Sequence, residues 1–225
     1  MHLQSAPLHP AQRRRAAIAI ATTTLIALAA LTHHPVVDHH SSHQNLLAQL
    51  AALQWMDGMV HGALIAMLAV LAIGHAIFGR MLGVRRAPVL IAMTAYGIGC
   101  CNVVAAMLLD GFAVPQLARQ FVHAAQAEID VVRVVLGAIG TLIQVLTKAG
   151  LLAMCASLLA WAYALATGPW PRWCAAVGLA AGLGPALFIS LAEVRLAPAS
   201  LTAIFAVHAA WNLAAASLLW RQRTS

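Results

Sequence analysis

The chain alternates long apolar runs with short polar breaks. Apolar runs open near Ala16, Trp55, Pro88, Trp173 and Ala199, and a further run ends near Ala166. Each approaches the ~20 residues a helix needs to cross about 30 Å of hydrocarbon. Arg80–Arg86, the Pro/Gly turn Thr167–Arg172 and the Glu193–Pro198 segment mark reversals. This pattern predicts an all-α polytopic membrane bundle of about six transmembrane helices, with residues 1–225 forming a single transmembrane domain. Residues 1–15 form a polar arm ending in Arg13-Arg14-Arg15. The following run, Ala16 to Leu31, reads as a first helix, although its basic start and Ala27-Leu28-Ala29 also fit signal-peptide grammar.

The run from Trp55 to Gly79 organises the others. It holds Asp57, His61 and His75. At about 100° per residue, His61 lies roughly 40° from Asp57, and His75 returns to the azimuth of Asp57. Titratable groups in a span cost several kcal/mol unless they face protein or water, so this stripe should point into the bundle. The next span, Pro88 to Leu109, should break at Asp110-Gly111, with Pro115 close behind.

From 116 to 135, Gln116, Arg119, His123, Gln126, Asp130 and Arg133 recur at helical steps, with Leu117, Phe121, Ile129 and Val132 on other azimuths. This predicts an additional amphipathic helix on the outer side. The stripe continues through Gly137, Thr141, Gln144 and Lys148. A single helix through residue 166 would be about 75 Å long, so a bend is expected near Gly137 or Gly140.

Composition sharpens the class. The chain is 62% apolar and 8% charged, against roughly 25% charged for a soluble domain. The formal charge of +7 does not indicate nucleic acid, because no basic face interleaved with aromatics occurs. Arg13, Arg14, Arg15, Arg80, Arg85, Arg86, Arg172, Arg221 and Arg223 instead flank the apolar runs, whereas Arg119, Arg133 and Arg195 fall on the opposite side. By the positive-inside rule this implies a bacterial-type inner membrane protein with both termini cytoplasmic. Cys100, Cys101, Cys155 and Cys174 all lie in apolar stretches, without metal spacing, and read as small buried hydrophobes.

The candidate chemistry is compact. Asp57, His61, Asp110, Lys148, His208 and Asn212 are the polar groups expected to line a substrate or ion pathway, with Lys148 as counter-charge to Asp110 or Asp57. Counted inward from Trp55 and Ala199, His61 and His208 fall at similar depth, where paired imidazoles could hold Zn²⁺, Cu²⁺ or haem iron. The outer loop 32–45 carries His33, His34, His39, His40 and His43 without Lys or Arg, a compositional signal for Zn or Cu.

Two local resemblances arise. The gap between His61 and His75 resembles the paired-haem spacing of cytochrome b-type helices, but a second helix with two further ligands is lacking. His208-Ala209-Ala210-Trp211-Asn212 resembles the last motif of the intramembrane CAAX-type proteases. That family's paired glutamates are not matched around Glu193, and without them no general base activates water.

The expectation is a small-molecule or ion/proton-coupled permease with a polar interior. The alternatives are a metal- or haem-binding redox subunit and a non-catalytic accessory protein. Its partners would be the lipid bilayer and either a second copy or a membrane subunit, with no nucleic acid.

Overall fold

The computed structural model describes residues 8–32, 43–191, 196 and 198–221. Eight α-helices account for nearly all of them: α1 (Pro10–Thr32), α2 (His43–Ala52), α3 (Gln54–Leu82), α4 (Ala87–Leu108), α5 (Val114–Phe121), α6 (Gln126–Ala166), α7 (Arg172–Leu191) and α8 (Pro198–Arg221). Six segments are long and apolar enough to cross a membrane: 10–32, 45–82, 87–121, 126–166, 172–191 and 199–221. The chain is therefore a multi-pass membrane protein.

The six spans form a closed ring in chain order. α1 packs on α3, α3 on α4, α4 on α6, α6 on α7 and α7 on α8, and α8 closes on α1. Antiparallel neighbours follow from the short connections. Glycines set the closest crossings, because lipid tails supply no hydrophobic drive between helices and backbones must approach to gain contact. A Cβ on Gly99 would lie 2.9 Å from the Gly150 carbonyl, and one on Gly150 would lie 3.0 Å from the Gly99 carbonyl. Gly178 and Gly182 of α7 also pack closely, against Trp211 and Ala162 at Gly178 and against Cys155 and Leu159 at Gly182.

At the arginine-rich end the ring centre is filled. Phe78 of α3 sits edge-on between Trp161 of α6 (5.2 Å) and Trp211 of α8 (5.9 Å). Ala16, Ile20, Leu82, Leu165 and Leu219 belong to the same core, which places the ends of α1, α3, α6 and α8 level with one another. Arg14 lies over the Trp220 ring there. Arg86 reaches the end of α6, donating to the Ala164 carbonyl (2.8 Å) and Thr167 Oγ1 (3.0 Å). A cation on the last carbonyls of a helix satisfies orphan acceptors and opposes the dipole.

The far end departs from the expected layout. Asp110-Gly111 does not break α4. Leu109–Ala113 forms a π-turn that joins α4 to α5, with the Val114 N–H donating to the Leu109 carbonyl five residues back. Pro115 explains the widening. Its ring would collide with the Gly111 carbonyl in a regular α-helix, and a π-turn moves that carbonyl aside. The amphipathic segment is helical but divided: Gln116 and Arg119 lie on α5, whereas Gln126, Asp130 and Arg133 lie on α6. They do not share one helical face, because the chain reverses at 122–125. Ala125 is extended there, and its N–H donates to Glu128 Oε2 (3.1 Å), which starts α6.

α6 then runs 41 residues without a break at Gly137 or Gly140, roughly 60 Å. Its first part pairs with α5 and α2 in a cap with its own apolar core of Leu47, Ala118, Ile129 and Val132. The apolar residues off the predicted polar stripe build this core.

Candidate functional site

The α3 stripe faces inward. His61, Leu64, Leu68, Leu71 and His75 are buried, whereas Met59 and Ala66 on the opposite face are exposed. Its polar focus is His61, 4% exposed. Nδ1 lies 3.0 Å from the Asp57 backbone carbonyl and 3.2 Å from Asp57 Oδ1. Nε2 lies 3.4 Å from Asp110 Oδ2. The helix repeat places Asp57 one turn before His61, and the π-turn delivers Asp110 to the other side of the ring. Gly111 is required beside it, because any Cβ there would overlap the His61 ring. Asp57 is nearly buried and Asp110 half-exposed, so the array runs from the interior towards the surface.

Both ring nitrogens of His61 thus face acceptors. An imidazole with a proton on each nitrogen satisfies both; removing either proton turns a lone pair towards a carboxylate or carbonyl. The three groups can pass a proton from one carboxylate, across the ring, to the other. They do not converge on a metal ion, because the ring lies between the carboxylates. Among the described residues no group of three His, Cys, Asp or Glu side chains could hold a metal.

The remaining candidates lie elsewhere. Lys148 is half-buried on α6 and forms no ion pair with Asp57 or Asp110 among the described residues, so it is not placed as their counter-charge; the group beside both carboxylates is the His61 imidazole. His208 is buried on α8, with Nε2 3.7 Å from Cys155 Sγ of α6 and Asn212 buried one turn on. It does not stand level with His61. Counted from the aligned ends at Leu82 and Arg221, His61 lies about 31 Å deep and His208 about 20 Å. Counting from the opposite ends had placed them together, but α3 extends further towards the cap than α8 does. A shared bis-imidazole metal or haem site is therefore not formed.

His75, about 10 Å from the same end, has both nitrogens engaged. Nδ1–H donates to the Leu71 carbonyl (2.9 Å), and Nε2 accepts from Trp211 Nε1–H (3.3 Å). Tyr96 lies against its ring at 4.5 Å. One nitrogen meets an acceptor and the other a donor, which the neutral ring satisfies. No open ligand position is left, so the cytochrome-like spacing holds a structural histidine here.

Sequence reasoning also missed further polar contacts. Ser157 Oγ donates to the Ala92 carbonyl of α4 (2.7 Å). Gln144 clasps the backbone of Leu196, accepting its N–H (2.9 Å) and donating to its carbonyl (3.3 Å). Arg119 donates to Gln54 Oε1 (3.2 Å). Each joins segments distant in sequence, which helical periodicity cannot register. Of the loop histidines, His33, His34, His39 and His40 lie outside the described residues, and His43 opens α2.

Comparison with known proteins gives no match: no family model fits the sequence, and no curated protein or solved structure is similar to it.

Proposed function

We propose that the chain is a proton-coupled permease of the inner membrane, with both termini cytoplasmic and Asp57–His61–Asp110 as its protonatable gate at the outer mouth. The carrying observation is the placement of titratable groups down the inside of the ring. The acid–imidazole–acid array stands at the cap end, with the buried His208 about 10 Å below it. Buried titratable groups at successive depths are costly in a span and typify proton pathways. Steps of this length need bridging water or side-chain motion.

Two features support the reading. The half-exposed Asp110 gives the array access to the surface. Trp161 Nε1, in the aromatic plug, is buried without a hydrogen-bond partner among the described residues, and such orphan donors call for an explanation. In this reading Phe78, Trp161 and Trp211 close the inner side. The histidines of 33–43 would raise the local concentration of Cu²⁺ or Zn²⁺ at the same mouth.

The test is proton movement in proteoliposomes that trap a pH-sensitive dye. A potassium diffusion potential is imposed, with and without a low-mass cell filtrate outside. Wild-type protein should acidify or alkalinise the lumen faster than protein-free vesicles, and His61→Gln should return the rate to the protein-free level. Wild-type vesicles no faster than protein-free ones under both conditions would overturn the reading.

A further inference from the structure

Beside the gate, on the outer surface of α3 and the π-turn, lies an open cleft of about 450 Å³ lined by Gln54, Trp55, Met59, Phe112, Gln116 and Arg119. Its two ends differ in chemistry. Arg119 stands on α5 with Gln54 and Gln116 around it. Of its five guanidinium donors, one is given to Gln54 Oε1 at 3.2 Å, and Arg119 forms no ion pair among the described residues. The other end is apolar and open: Trp55 is 80% exposed, Met59 58% and Phe112 41%. Phe112 lies over Gly58 and Gly62 of α3, whose Cβ positions would meet its ring at ordinary contact distances of 3.6 and 3.8 Å.

The depth fits this division. Gln54 stands about 42 Å and Met59 about 35 Å from the arginine-rich end of α3. Against a hydrocarbon core of ~30 Å and a total thickness of ~40–45 Å, the polar end falls among headgroups and the apolar end at the top of the acyl chains. An exposed tryptophan at this level is the usual interfacial anchor.

We propose that this cleft is a binding site for an anionic phospholipid, its phosphodiester on Arg119 and the two glutamines and its first acyl carbons over Trp55, Met59 and Phe112. Charge complementarity selects the occupant. A guanidinium without a carboxylate, flanked by amide donors, matches phosphate oxygens, and the adjoining aromatic surface matches a chain that a free anion lacks. Gly111, which lines the cleft, also walls His61, so a bound lipid would lie one backbone away from the gate. The site does not depend on the permease reading.

The full chain in phosphatidylcholine nanodiscs is titrated with phosphatidylglycerol carrying brominated acyl chains, and tryptophan quenching is followed. Wild type should show a saturable component that Trp55→Phe removes. Arg119→Gln should move half-saturation about tenfold higher, the loss of one charge-assisted contact, while Arg119→Lys recovers most of it. An equal saturable component with brominated phosphatidylcholine, a saturable component that persists in Trp55→Phe, or no shift in Arg119→Gln would each overturn the proposal. So would displacement of the lipid by millimolar glycerol 3-phosphate, which would make this a free-anion site.

Discussion

At the scale of single residues, Gly111 and His61 are coupled by shape. Gly111→Ala must push the His61 ring off its two acceptors, and overpacking of this kind costs about 1–3 kcal/mol. Gly137→Ala provides the comparison, since a Cβ there meets nothing within 4 Å, and helix propensity favours alanine by up to about 1 kcal/mol. Thermal unfolding in detergent should therefore move in opposite directions for the two variants; a neutral Gly111→Ala would mean that His61 is not held as described. Charge coupling gives a second expectation. Asp57→Asn and His61→Gln should be sub-additive, as direct partners are, by about 0.5–3 kcal/mol. Asp57→Asn and Lys148→Leu should simply add. A cycle that couples Asp57 to Lys148 and not to His61 would reverse the assignment. The sequence carried half of this site. One-turn spacing made Asp57 and His61 neighbours on one face, because helical azimuth is a local property. Asp110 was among the expected pathway residues, but its approach to His61 was not legible, since it depends on a π-turn and on how α4 packs against α3.

At the scale of elements, the π-turn is the piece whose chemistry was visible and whose geometry was not. Proline after an Asp-Gly pair normally signals a break. Here the helix continues, because widening the turn shifts the Gly111 carbonyl from the pyrrolidine ring while the Val114 N–H still finds Leu109. Pro115→Ala restores a donor and lets residues 109–113 relax towards a regular α-helix, which would rotate α5 and withdraw Asp110 from His61. The expected outcome is weaker coupling between His61→Gln and Asp110→Asn in the Pro115→Ala background, read from unfolding midpoints. Undiminished coupling would show that proline does not maintain the turn. The reversal at 122–125 was overlooked for a related reason: Glu128 in the first turn of α6 was legible as a starting signal, but continuous three- and four-residue polar spacing masked it. Arg86 shows how a loop residue fixes an element: Arg86→Ala frees the Ala164 carbonyl and Thr167 Oγ1.

At the scale of the whole molecule, the count and length of the spans followed from hydropathy, because a bilayer imposes one length on every crossing segment. The ring order did not, since any antiparallel arrangement satisfies the same pattern; glycine contacts and the Phe78–Trp161–Trp211 plug select it. Orientation in the membrane is the remaining global property, and it can be decided. Arg80, Arg85 and Arg86 share one end of the ring with Arg172 and Arg221, because α3, α6 and α8 finish there and α4 and α7 begin there. Cytoplasmic retention acts on basic residues close to span ends, so this end should stay inside. Arg119 and Arg133, on the cap at the other end, are outnumbered by these arginines. Reporter fusions after Arg86 and after Arg221 should therefore read cytoplasmic, and a fusion within 122–125 should read external. Cysteine labelling gives the complementary readout: residues 61, 64 and 68 should be shielded from lipid-phase probes, and residues 59 and 66 open to them. An external reading at Arg86 would invert the bundle and place the acid–imidazole–acid array at the cytoplasmic mouth, where an outer gate could not operate.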